Sequence, residues 1–170
     1  MDVPAFIQRV LIEEFEEIQQ EGRHPHILFS LICPGIEFLG ACLDPDAFSC
    51  KGLSAPRFRR AIYELFPSTY HPFNQGSGRP FDLYDNLRCA LFDVVLPGAR
   101  LELIQRSETT TLNVSHLEIK EIGGTDRLVL VLENLLDDFE KACQEIMERI
   151  RDGRLSGWKV TGDLASRWLF

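Results

Sequence analysis

Basic charge is what this chain is short of. Its 18 Lys and Arg stand against 26 Asp and Glu, a formal net charge of −8 over 170 residues. An acidic balance repels phosphate backbones, so non-specific nucleic-acid binding is disfavoured. The five cysteines (Cys33, Cys42, Cys50, Cys89 and Cys143) are odd in number and form no C-x-x-C pair. That argues against a disulfide framework and a zinc knuckle, and points to free thiols in a reducing, cytoplasmic setting. Phosphate-loop, dinucleotide, nucleophile-elbow and H-E-x-x-H patterns are all missing. Met1-Asp2-Val3-Pro4 offers no basic region ahead of an apolar run, so no secretory signal is expected. Repeats and low-complexity runs are absent too. At this length one domain spanning 1–170 is expected, with 45% hydrophobic residues to fill a core.

The apolar residues themselves fall at helical spacing. Val3, Phe6, Ile7, Val10, Leu11, Phe15 and Ile18 make one stripe, opposite Glu13, Glu14, Glu16 and Glu17. This predicts a surface helix from an Asp2 cap to Gly22. The stretch Pro25–Leu43 is apolar nearly all round, which predicts a central bundle helix rather than a membrane span, kinked at Pro34. Glu37 is the odd carboxylate on it. A loop over Asp44–Ala55 leads to a third helix, capped by Ser54 and stopped by Pro67. Arg57, Arg59 and Arg60 on that helix read as a solvated face. The longest loop, Ser68–Pro80, precedes a fourth helix over about Phe81–Val95.

After Gly98 the period changes to two. Leu101 and Leu103 alternate with charged residues, Leu112–His116 alternates again and extends toward Ile122, and Leu128–Leu132 is a short apolar run. Strands are expected there, with a turn at Gly123–Asp126. A last helix capped by Asn134 buries Phe139, Ala142, Cys143, Ile146 and Ile150, and Gly153 ends it. The tail carries Trp158, Trp168, Leu169 and Phe170, too apolar to lie free, so it is expected to pack on the core or on a neighbouring subunit. The fold class is therefore mainly α (α+β): about five helices with a β-hairpin inserted before the last long one.

One helix concentrates the candidate chemistry. Leu83, Leu87, Ala90, Leu91, Val94 and Val95 form its stripe, and Arg88 stands beside that stripe. A charged group next to a core needs a partner or a role. Glu37 is the natural partner, and a pair of this kind fixes helix register more than it adds stability. Arg88, Asp93 and Asn86 are the candidate catalytic residues. Glu37, Tyr84, Asp85 and His71 are the candidate binding residues, His71 standing on the long loop. Cys89 beside Arg88, with His71 as base, is the alternative nucleophile arrangement. His24, His26, His71 and His116 have no zinc spacing, so neither a metal nor another cofactor is expected. Gln75-Gly76-Ser77-Gly78-Arg79 lacks the lysine and preceding strand of a phosphate loop and reads as a flexible connection.

Tyr84-Asp85-Asn86-Leu87-Arg88-Cys89, followed by a β-hairpin and a helix opening on Asp137-Asp138-Phe139-Glu140-Lys141-Ala142, resembles the HEPN-type helical proteins. The resemblance covers the middle of the chain and the order of its elements. It implies a helical bundle that commonly dimerises. Many members, among them bacterial toxin and defence proteins, are metal-independent endoribonucleases whose signature is an arginine followed four to six residues later by a histidine. Arg88 matches the arginine, but Asp93 stands where the histidine would be. An aspartate titrates near pH 3.9, against about 6.5 for histidine, and it repels RNA phosphate. The resemblance therefore implies a non-cleaving interaction or regulatory module, either a homo-oligomer or bound to a protein partner. The alternatives are an endoribonuclease using Arg88 with Asp93, Asn86 or His71, and a structural subunit of a larger assembly. RNA is a possible partner that the net charge disfavours, and no membrane is expected.

Overall fold

Asp2 opens the first helix as the sequence requires: its carboxylate accepts from the Ala5 amide at 2.9 Å, with Pro4 in the first turn. The helix runs as α1 (Val3–Phe6), a π-helical stretch over Ile7–Glu13, and α2 (Glu14–Glu21), and stops at Gly22 with φ +65°. The computed structural model describes residues 1–94, 96–155, 160, 162 and 164. Expectations for Val95, Trp158, Trp168, Leu169 and Phe170 lie outside the described residues.

α3 (Pro25–Leu43) is the central helix, carrying Leu28, Phe29, Ile32, Cys33, Ile36 and Leu39 in the core. It is long and apolar enough to cross a membrane, but most of it is buried inside the fold. α4 (Ser54–Leu65) crosses it and buries Phe58, Ala61 and Ile62. Ser54 is this helix's first residue, and no side chain caps it. The crossing is close because Gly40 leaves room for the Arg57 carbonyl, and a Cβ there would lie 1.9 Å from that oxygen. A π-helical stretch over Tyr84–Cys89 continues into α5 (Ala90–Val94), burying Leu83, Leu87 and Leu91.

The β layer is small. β1 (Leu101–Ile104) pairs parallel with β3 (Thr125–Val131), and β2 (Ile119–Ile122) pairs antiparallel with β3, giving the order β1-β3-β2. The β2–β3 hairpin turns at Gly123-Gly124 and leads directly into α7 (Leu132–Arg151), the last long helix. α7 begins two residues before the expected Asn134 cap and lays Leu135, Phe139, Ala142, Cys143 and Ile146 on the core. Beyond it, Val160 and Leu164 are buried in the same core, and the Leu164 amide donates to the Met1 carbonyl at 2.8 Å.

Two local expectations are corrected. Leu112–His116 is not a strand: a 3-10 turn at Arg106–Glu108 and α6 (Thr109–Leu112) occupy the connection, and Asn113 then turns left-handed. The cause is a capping box in which the Gln105 side chain accepts from the Glu108 amide while the Glu108 carboxylate accepts from the Gln105 amide at 2.8 Å. Ser68–Pro80 likewise opens as a 3-10 helix over Ser68–Phe73, anchored by fully buried Tyr70.

Candidate functional site

The carboxylate on the central helix and the arginine on the fourth helical stretch meet. Arg88 Nε donates to Glu37 Oε1, and both side chains are about one-fifth exposed, 22% and 18%. The guanidinium also lies over the Phe92 ring at 4.6 Å and the Tyr84 ring at 5.8 Å, distances at which the ring quadrupole attracts a cation. Burial disfavours the Arg88 charge, but the Glu37 hydrogen bond and its negative charge prevail and hold the pKa above the ordinary arginine value. Arg88 is thus pinned on one side by a carboxylate and covered on others by aromatic rings.

The neighbouring candidates serve the local scaffold. Tyr84 donates to the Ser54 hydroxyl at 3.0 Å and meets Phe58 edge-on. Asp85 accepts from Ser77 and from the Gly78 amide, tying down the glycine-rich loop. Asn86 donates to the Pro80 and Asp82 carbonyls, and its own carbonyl accepts from the Gly98 amide. Asp93 is exposed and, among the described residues, joins no ion pair with Arg88. His71 stacks on Tyr63 with ring centroids 4.8 Å apart, and its buried Nε2 has no hydrogen-bond partner among the described residues. No hydrogen bond or ring contact among those residues links His71 to Arg88 or Cys89. The structure therefore unites Arg88 with Glu37 and Tyr84 and leaves Asp93 and His71 apart from them.

The arginine trio of α4 is not a solvated face. Arg57 is 7% exposed: its Nε donates to Asp44 at 2.6 Å, and its terminal nitrogens donate to the Phe48 and Ala47 carbonyls. Arg59 makes a bidentate pair with Asp82 at 2.6 and 2.8 Å. Burial alone would raise the Asp82 pKa, but Arg59 and the Asp85 and Gly76 amides outweigh it and hold the carboxyl below its usual range. Only Arg60, with Glu64 one turn on, behaves as expected of a surface residue. The pattern misled because an arginine facing inward is indistinguishable in sequence from one facing water until its carboxylate is placed.

Between α3, α4 and the loop that Arg57 holds lies an open cleft of about 380 Å3. Pro34, Phe38 and Ala41 give it one wall and Phe48 another, with Phe38 and Phe48 stacked at 5.1 Å. Glu37, Cys50, Lys51, Ser54 and Arg57 supply its polar lining. Pro34 and Phe38 belong to a part of the apolar α3 that the core leaves open.

Sequence reasoning missed a second polar cluster, Tyr70, His116 and Asp138. The Val131 amide donates to His116 Nδ1 at 3.0 Å, so the ring proton sits on Nε2. That nitrogen donates to the Tyr70 oxygen at 2.8 Å, and the Tyr70 hydroxyl donates to Asp138 at 3.0 Å. Residues 46 and 68 positions apart in sequence carry no local signal of this contact. Burial, opposed by the Asp138 charge, pushes His116 down to about 4 from 6.5. The folded state therefore binds fewer protons than the unfolded chain between those values, so stability is full above pH 6.5 and falls as pH drops through the window. Unfolding in urea is expected to show a loss of about 2 kcal/mol from this group between pH 7.5 and 5. His116→Gln should remove that slope, and an unchanged slope in the variant would assign it to other groups.

No family model, curated protein or solved structure matches this chain.

Proposed function

We propose that this chain is a HEPN-like interaction module of the cytoplasm that acts as a non-cleaving homo-oligomer. The observation carrying this reading is the state of Arg88, committed to Glu37 and capped by Phe92, with neither Asp93 nor a histidine bonded to it among the described residues. A nuclease needs its arginine free for phosphate and a proton acceptor within hydrogen-bond reach of the ribose. Asp93, five residues on, is exposed and makes no ion pair with Arg88 among the described residues.

Exposed apolar residues at and just beyond the end of this helix support the choice of partner. Phe92 is 49% exposed and Leu96, four residues later, 66%. One face of the Phe92 ring rests on a pinned guanidinium, so the ring is held in place with its other face open. A rigid, half-exposed aromatic, with an exposed leucine four residues on, suits the centre of an isologous contact, where a patch meets its own copy. Sedimentation velocity of the purified chain is expected to show a dimer that Phe92→Asp dissociates, weakening association at least about tenfold while circular dichroism shows the variant still folded. A monomer at all concentrations, or a dimer indifferent to Phe92→Asp, would refute this surface.

A further inference from the structure

Charge accounting in the α3–α4 cleft singles out one group. Glu37 is neutralised by Arg88, and Arg57 by Asp44, with every Arg57 nitrogen already donating to Asp44, Phe48 or Ala47. Lys51 is then the one cation lining the cleft that joins no ion pair among the described residues. Ser54 already accepts from Tyr84, which leaves its own proton available to a further acceptor. Pro34, Phe38, Ala41 and Phe48 supply the apolar lining of the same cleft, stiffened by the Phe38–Phe48 stack and by Phe6 packed on Phe38 at 4.8 Å.

We propose that this cleft binds a small amphipathic anion, an unbranched carboxylic acid of medium chain length, with its carboxylate at Lys51 and Ser54 and its chain along Phe38 and Phe48. The volume of about 380 Å3 lies at the lower end of the range that holds small organic ligands. An apolar body gains from the wall in proportion to the area it buries. The single unmatched positive charge selects a monoanion: a cation is repelled, and a neutral alcohol forfeits the ion pair. Self-association through Phe92 does not enter this argument, so either proposal can fail alone.

Cys50 supplies the readout, being exposed and part of the cleft lining, whereas Cys33, Cys42 and Cys143 are buried. Alkylation of Cys50 by iodoacetamide is followed by peptide mass spectrometry with increasing octanoate, and separately with octan-1-ol. The expected result is saturable protection by octanoate, reached at a concentration about tenfold lower than octan-1-ol requires. Lys51→Gln, a change at an exposed side chain, is expected to raise the octanoate requirement about tenfold while the melting temperature stays put. Lack of protection by millimolar octanoate overturns the site. Equal protection by the alcohol, or an unaltered requirement in Lys51→Gln, overturns the anion assignment.

Discussion

Gly40→Ala is expected to abolish stable folding, or to leave a chain whose melting temperature falls by 10 °C or more. The added Cβ would stand 1.9 Å from the Arg57 carbonyl oxygen and 2.5 Å from its carbon, both backbone atoms that cannot rotate away. α3 and α4 would have to separate, opening the interface in which Ile36, Phe58, Ala61 and Ile62 are fully buried. Overpacking typically costs about 1–3 kcal/mol, and a backbone clash at a helix crossing sits at or beyond the upper end. For a chain of this size, each kcal/mol moves the melting temperature by about 2–4 °C. Circular dichroism on heating reads the effect. A variant within about 3 °C of the parent would show that the helices do not approach as closely as this crossing requires.

Glu37→Ala carries the second large effect. It leaves the Arg88 guanidinium partly buried without its carboxylate, supported only by the Phe92 and Tyr84 rings. Removing one member of a buried pair costs about 3–5 kcal/mol, and a pair one-fifth exposed warrants a discount to about 2–3 kcal/mol. The melting temperature should drop by about 5–10 °C. Glu37→Gln keeps an acceptor oxygen and should lose about half as much. Combining Glu37→Ala with Arg88→Met should restore part of the loss, since the stranded charge is gone. Unchanged melting in Glu37→Ala would remove the pair from the account, and a double variant as unstable as the sum of its parts would remove the coupling.

That pair was legible in the sequence for a simple reason. Pro25–Leu43 is apolar around its whole circumference, so one carboxylate at Glu37 has to find a cation, and Arg88 is the cation set beside another apolar stripe. The long helices were legible by the same periodicity, with their ends marked by Asp2, Gly22 and Gly153. The connection after β1 was not, because Leu112, Val114 and His116 alternate like a strand while the backbone turns left-handed at Asn113 and Leu117. Its true determinant is the Gln105–Glu108 capping box, a signal placed ahead of the run rather than within it. Two helices carry π-helical stretches, Ile7–Glu13 and Tyr84–Cys89, that depend on packing and have no counterpart in apolar spacing. Arg57 and Arg59 turned inward because Asp44 and Asp82 meet them from distant loops, and the Tyr70–His116–Asp138 chain joins three segments that only the fold brings together.

The central claim is that Arg88 anchors an interaction surface and does not act on RNA. Incubating the purified chain with a varied RNA pool in excess chelator tests it most directly, with Arg88→Lys run alongside under matched folding. The RNA is expected to remain intact with both proteins. Cleavage by the parent chain that Arg88→Lys abolishes, with the variant still folded, would contradict the claim and restore the ribonuclease reading.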